Sequence, residues 1–219
     1  MASRSATWRV PVALVTLAII PVVAGSLRLI ELFSGAAVMP PNARFDASPV
    51  PVVTHIVTAI VFAVLGAFQF STRIRRRRPA WHRRAGRVLV VAGLGLALSA
   101  LWLNQFFPRE GATREVLYPF RIVFGVALVL TIVTGFLAAR RRDFARHRTW
   151  MIRSYAIALV AGTQVFTLGI GQIIFGTGDL PTALLMVSAW VINLAVAEWA
   201  IRNRPRRRTP VTQVQLATP

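Results

Sequence analysis

Apolar residues run along this chain in six long blocks, separated by short polar links. A helix needs about 20 mostly apolar residues to cross the ~30 Å hydrocarbon core of a bilayer. The blocks at 10–33, 50–72, 85–107, 118–139, 151–175 and 181–202 all reach that length. Several carry glycine, proline or a charge, which marks spans that pack on protein rather than face only lipid. The pattern predicts an all-α, polytopic helical membrane protein with six transmembrane helices. A four-helix central bundle of spans two to five is expected, flanked by spans one and six. The expected organisation is a first span and outer loop (1–49), a central membrane domain (50–175), a sixth span (176–203) and a disordered cytoplasmic tail (204–219). The links are too short for a separate soluble domain.

Composition agrees with this pattern. Of 219 residues, 55% are hydrophobic and 15% charged, against roughly 45–50% and ~25% in soluble domains. So apolar a chain is not intrinsically disordered. The absence of cysteine removes disulfides, thiolate metal sites and thiol catalysis, and three histidines do not make a histidine-rich metal centre.

Charge adds an orientation. The chain has 26 basic residues, all arginine, against 7 acidic ones. Sorted by alternate links, 21 of the 26 fall on one side: before span one, between spans two and three, between four and five, and after six. The other side has Arg44, Arg109 and Arg114, offset by Asp46, Glu110, Glu115 and Asp179. The positive-inside rule then puts both termini in the cytoplasm of a multi-pass cell-membrane protein. Basic loops attract anionic headgroups at about 1 kcal/mol per residue near the surface. Arg83, Arg84, Arg148 and Arg153 are the expected lipid contacts. Arginines shared among alternate loops do not form a nucleic-acid surface, so no nucleic acid is expected; a membrane-protein partner or a second copy is the remaining class of partner. The first block, preceded by Arg4 and Arg9 and containing Val23-Ala24-Gly25, imitates a signal peptide. It runs on to Phe33, beyond the about 7–15 residues of a cleavable apolar region, and is read as a retained helix.

Ionisable residues inside a bilayer are costly and are functional candidates by default. An outer group comprises Arg28 and Glu31 late in span one, His55 early in span two and Arg121 early in span four. Arg28 and Glu31 share a helix face at a spacing of three. Together the four outline a pocket for an anionic or quinone-like ligand, or a structural polar network. An inner group is built on two similar segments, Arg75–Arg87 and Arg140–Tyr155, each with an arginine run, an aromatic, a His-Arg pair and the opening of an outward helix. This suggests two related hairpins about an axis along the membrane normal. His82 and His147 head stripes of small residues, Gly86 and Gly93 in one case and Ser154 and Ala158 in the other. Such stripes allow close helix contact, or room for haem b with the two histidines as axial ligands. Glu198 has Arg202 four residues on as its nearest partner in sequence. Trp8, Trp81, Trp150, Trp199 and Tyr118 stand where amphipathic rings anchor spans at the interface. No phosphate-binding loop, zinc-hydrolase helix, nucleophile elbow or carboxylate pair occurs, and no catalytic residue is assigned.

The sequence His55 … Gly66-Ala67-Phe68-Gln69-Phe70, then His82-Arg83-Arg84-Ala85-Gly86-Arg87, then His147-Arg148-Thr149-Trp150-Met151-Ile152-Arg153-Ser154-Tyr155-Ala156 resembles a family of predicted bacterial membrane proteins catalogued as a domain of unknown function. The likeness spans residues 50–165. It implies a helical membrane fold and no particular reaction; where members of that family carry an arginine after the last stretch, this chain has Gln164. The four central spans also bear a loose likeness to two-haem cytochromes of the b561 kind, which use four ligand histidines where only three exist here. The leading reading is a non-catalytic or accessory integral membrane protein. The alternatives are a redox-linked protein binding haem or a quinone, and a small-solute or proton transporter. The arginine asymmetry predicts that reporters fused after Ala47, Gly111 or Gly178 register as extracytoplasmic, and that those at Pro79, Asp143 and the tail register as cytoplasmic. A cytoplasmic signal at Gly111 would contradict the six-span topology.

Overall fold

A computed structural model of the chain describes residues 8–38, 49–106 and 112–203. The tail at 204–219 lies outside the described residues, as do Arg4, Arg44, Asp46, Ala47, Phe107, Arg109, Glu110 and Gly111. The described elements are all helices: α1 (Arg9–Ser34), α2 (Pro49–Gln69), α3 (Thr72–Arg77), α4 (Pro79–Phe106), α5 (Ala112–Arg140), α6 (Phe144–Ala158), α7 (Val160–Phe175) and α8 (Asp179–Arg202). Five of them, α1, α2, α4, α5 and α8, are each long and apolar enough to span a bilayer. Helices α6 and α7 pass the same test together, as one span bent by 45°. The chain is a multi-pass, all-α membrane protein.

Local chemistry fixes the boundaries. Ser71, fully buried, accepts the Ile74 N–H at 3.4 Å and starts α3, a short arginine helix within what the sequence offers only as a link. The Asp143 carboxylate accepts the Arg146 N–H at 3.0 Å and starts α6, as side-chain oxygens do at helix N-termini. Between α5 and α6 the chain reverses through Arg142, whose φ of 62° is left-handed. Gly35, with φ of 71°, closes α1.

Helix α1 packs on α2 and α7; α2 packs on α4, α4 on α5, and α5 on both α6 and α8. Helix α8 also packs on α6 and α7, while α6 reaches inward to α2. The sixth span, α8, thus meets three other elements of the bundle. The buried centre holds Phe62, Leu89, Leu96, Leu128, Ile132, Tyr155 and Trp190. Large apolar side chains such as Val91 and Ile173 are exposed on the outside, where a bilayer supplies the apolar surroundings.

Lipid tails are as apolar as the helices, so association in a membrane depends on close packing and hydrogen bonds. Two glycines of the central contact show this directly. A Cβ on Gly66 would fall 2.6 Å from the Tyr155 ring, and one on Gly93 would fall 2.6 Å from both Phe62 and Ile132. Gly93 belongs to the small stripe above His82; Gly86, its other member, has nothing within 4 Å of a would-be Cβ.

The bend at Leu159 has neither proline nor glycine at the break itself. A tight turn forms there, with the Gly162 N–H donating to the Leu159 carbonyl at 3.1 Å. Asn193 of α8 fastens both sides. Its Nδ2 donates to the Ala156 carbonyl at 3.0 Å, and its Oδ1 accepts the Thr163 hydroxyl at 2.6 Å. The bend carries α7 to α1, where Gly162 meets the Leu17 carbonyl so closely that a Cβ would sit 2.3 Å from that oxygen. Pro21, inside α1, lacks the N–H that would serve Leu17 four residues earlier. The carbonyl released by that proline is the one Gly162 covers.

Because backbone blocks the space at Gly162, Gly162→Ala is expected to cost about 1–3 kcal/mol, the usual range for overpacking, and to lower the melting temperature in detergent. Gly169→Ala, seven residues on with nothing within 4 Å, is expected to leave it unchanged. Differential scanning fluorimetry of the two variants checks the pair.

Candidate functional site

The candidate side chains collect at the two ends of the bundle. At the arginine-rich end, His82 opens α4 and His147 opens α6. His147 Nδ1 lies 2.8 Å from the Gly135 carbonyl. A carbonyl only accepts, so Nδ1 carries the proton and Nε2 is the free nitrogen. His82 Nδ1 is buried without a hydrogen-bond partner, and so is Gln69 Nε2 at the end of α2. A haem held between the two histidines would use His147 through Nε2. Eight residues on from His147, Tyr155 is 5% exposed, its ring centroid 6.0 Å from Phe62 and 5.0 Å from Phe70. Its hydroxyl donates to the Ala63 carbonyl at 2.6 Å. Both histidines stand where their helices open, at the arginine-rich end.

Four arginines were expected at the headgroups. Arg83 and Arg84 are exposed, and Arg148 is half-buried and engaged in an interaction of its own. Arg153 is committed within the protein. Its Nε donates to Glu198 Oε1 at 2.6 Å and its terminal nitrogen to Oε2 at 3.1 Å, while the guanidinium carbon stands 4.9 Å from the Trp150 ring centre. The two-pronged fit of guanidinium to carboxylate makes Arg153, on a neighbouring helix, the hydrogen-bonded partner of Glu198. Arg202, the partner suggested by spacing along one helix, contributes only its field.

At the opposite end, Arg28 is buried and paired with Glu31 one turn on, as the spacing of three predicts. His55 Nδ1 lies 3.3 Å from the Ser99 hydroxyl, which itself donates to the Leu96 carbonyl at 3.0 Å. The single hydroxyl proton is thereby used, so the ring nitrogen is the donor. Arg121, expected inside the same pocket, is instead exposed on α5 and engaged. Leu117 and Gly125, one turn to either side, are buried. Nearby, Asn104 Nδ2 donates to the Tyr118 carbonyl at 3.2 Å and the Tyr118 hydroxyl to Gln105 at 2.6 Å. No group of three or more His, Asp or Glu side chains suited to a metal ion occurs among the described residues.

The candidate residues read from the sequence include neither the Asn193–Thr163 link nor the Tyr155 hydroxyl. A lone asparagine within an apolar span was signal enough for the first, since such a group requires a partner in the bilayer.

Residues 52–201 match the family described as "Predicted membrane protein (DUF2306)". The chain belongs to this family. No curated protein and no solved structure is significantly similar to it. The DUF2306 match takes in α2 to α8 and so extends past the four central spans to the sixth. Within it, the stretch His147–Tyr155 supplies the bonds to Gly135, Glu198 and Ala63.

If the Arg153–Glu198 fork rather than local spacing holds α6 to α8, Glu198→Gln is expected to lower the melting temperature of this DUF2306 protein. Arg202→Gln is expected to leave it in place. A double-mutant cycle on Arg153 and Glu198 should return a coupling of about 1 kcal/mol, within the range for residues that share a bond; a coupling near zero would assign the contact no stabilising role.

Proposed function

We propose that this DUF2306 protein is a non-catalytic, accessory integral membrane protein, a six-span scaffold whose arginine-rich end lies in the cytoplasm and engages anionic headgroups. One observation carries this reading: several polar groups within the spans have internal partners, while the arginines at one end are largely exposed. Arg28 holds Glu31, Arg153 holds Glu198, His55 meets Ser99 and Asn193 ties α7 to α8. Around them, Arg75, Arg76, Arg77, Arg78, Arg83, Arg84, Arg140, Arg141, Arg142 and Arg146 are all exposed. Side chains already paired inside a bundle give it shape, and an unneutralised basic rim attracts anionic lipid.

A second reading, a redox-linked protein holding haem at its rim, is supported by the placing of His82 and His147 at the openings of two helices, the free Nε2 of His147 and the orphaned Nδ1 of His82. One preparation separates the two readings. In phosphatidylcholine micelles, adding phosphatidylglycerol is expected to raise the melting temperature by several degrees, and an effect that works by charge fades as salt shortens the Debye length to about 3 Å at 1 M. The visible spectrum of the same sample is expected to show no Soret band. A melting temperature indifferent to phosphatidylglycerol would overturn the scaffold reading, and a Soret band lost in His82→Ala and His147→Ala would establish the redox one.

A further inference from the structure

At the arginine-rich end, two adjoining hollows share one side chain, Trp8, just before α1. The larger, about 410 Å³, is lined by Trp8, Arg73, Ile74, Arg77, Arg78 and Trp81. The smaller, about 170 Å³, continues along α1 and is lined by Trp8, Pro11, Val12, Val15, Thr16 and Phe68. Trp8 is set edge-on against Phe68, with ring centroids 6.3 Å apart and planes at 76°, so it forms the sill between them.

The two hollows differ in chemistry. The first has three guanidinium groups and two indoles, with no carboxylate in its lining. None of Arg73, Arg77 and Arg78 has a side-chain hydrogen bond or ion pair with another described residue. Three unneutralised cations in one concavity call for an anion, and arginine suits phosphate because its planar fork can donate two bonds at once. The buried Ser71 hydroxyl caps α3 and so holds two of those arginines, Arg73 and Arg77, on a defined short helix. The second hollow is apolar except for Thr16 and runs beside two spans, where a hydrocarbon chain meets only apolar side chains. A free phosphate would satisfy the first hollow and ignore the second. An amphiphile with a phosphate at one end satisfies both.

We propose that this paired hollow is a binding site for one anionic glycerophospholipid, with its phosphate among Arg73, Arg77 and Arg78 beneath the Trp8 and Trp81 rings and one acyl chain along Val12, Val15 and Phe68. The site deepens the scaffold reading and rests on its placing of anionic lipid at this end. It adds a location and a count of one, where a basic rim alone gives a diffuse preference.

Native mass spectrometry of the full-length protein, titrated with phosphatidylglycerol or phosphatidylcholine in detergent, tests it. One phosphatidylglycerol is expected to remain bound under conditions that strip phosphatidylcholine. The triple variant Arg73→Gln/Arg77→Gln/Arg78→Gln should weaken that retention at least tenfold. The triple variant Arg140→Gln/Arg141→Gln/Arg142→Gln, which removes the same charge from the α5–α6 turn, should leave it within twofold. Val12→Trp keeps every charge and fills the apolar hollow at a side chain that is 58% exposed, so it tests the acyl half without burdening the core; it too should weaken retention. Equal losses in the two arginine triples would overturn the site while leaving the scaffold reading intact, since the phosphatidylglycerol effect on melting would persist. Displacement of the lipid by millimolar glycerol phosphate, or full retention in Val12→Trp, would reduce the site to a phosphate pocket and overturn the lipid assignment.

Discussion

The hydroxyl of Tyr155 ties α6 to the interior of α2, and the arrangement of the bundle is built around it. Its bond to the Ala63 carbonyl crosses 92 residues of sequence and joins the hairpin of α2 and α4 to that of α5 and α6. The ring can lie there only because Gly66 has no side chain to meet it. Phe62 and Phe70 then pack on its face and edge. With α6 drawn in at this level, α8 can reach both α5 and α6, and the fork of Arg153 to Glu198 closes that contact nearer the rim. A phenol buried in an apolar interior must find an acceptor, and here the acceptor is a carbonyl of a neighbouring span. The demand is met by architecture rather than by water.

Much of this was readable in the chain. The length of each apolar block located the spans, the bent fifth among them, and the arginine runs marked the ends that come together. The Arg28–Glu31 pair was legible because both members sit on one helix, where a spacing of three fixes the geometry. What escaped was tertiary. The break at Leu159 follows from no proline or glycine at the break, since it is set by Asn193 reaching from another span. Glu198 showed the same limit, because a local partner four residues away was visible and a better-shaped one 45 residues away was not. Arg121 was placed by depth in a pocket, but depth does not say whether a long side chain turns inward or reaches out.

The two ends of the bundle deal with charge differently. At one end the buried cation has a carboxylate one turn away, and the histidine lies beside a serine hydroxyl. At the other, arginines far outnumber acidic residues, and of those facing the hollow beside Trp8 none is neutralised by another described residue. An excess of like charge on short links destabilises the compact state by self-repulsion, so the arginine-rich end is at its most comfortable when something anionic shares it. On the proposed reading, the fold and its surrounding leaflet are parts of one electrostatic balance.

The seat of Gly162 against the Leu17 carbonyl has a bearing on how the protein is put together as a module. The DUF2306 region begins at residue 52, whereas Leu17 and Pro21 lie before it. The half of the fifth span beyond the bend therefore leans, on one side, on a helix that is not part of the matched domain. In a chain reduced to that domain, the bared strip of α7 would offer a glycine notch to whatever helix arrived first. The first span thus acts as a built-in neighbour, occupying a position that another polypeptide would otherwise be free to fill.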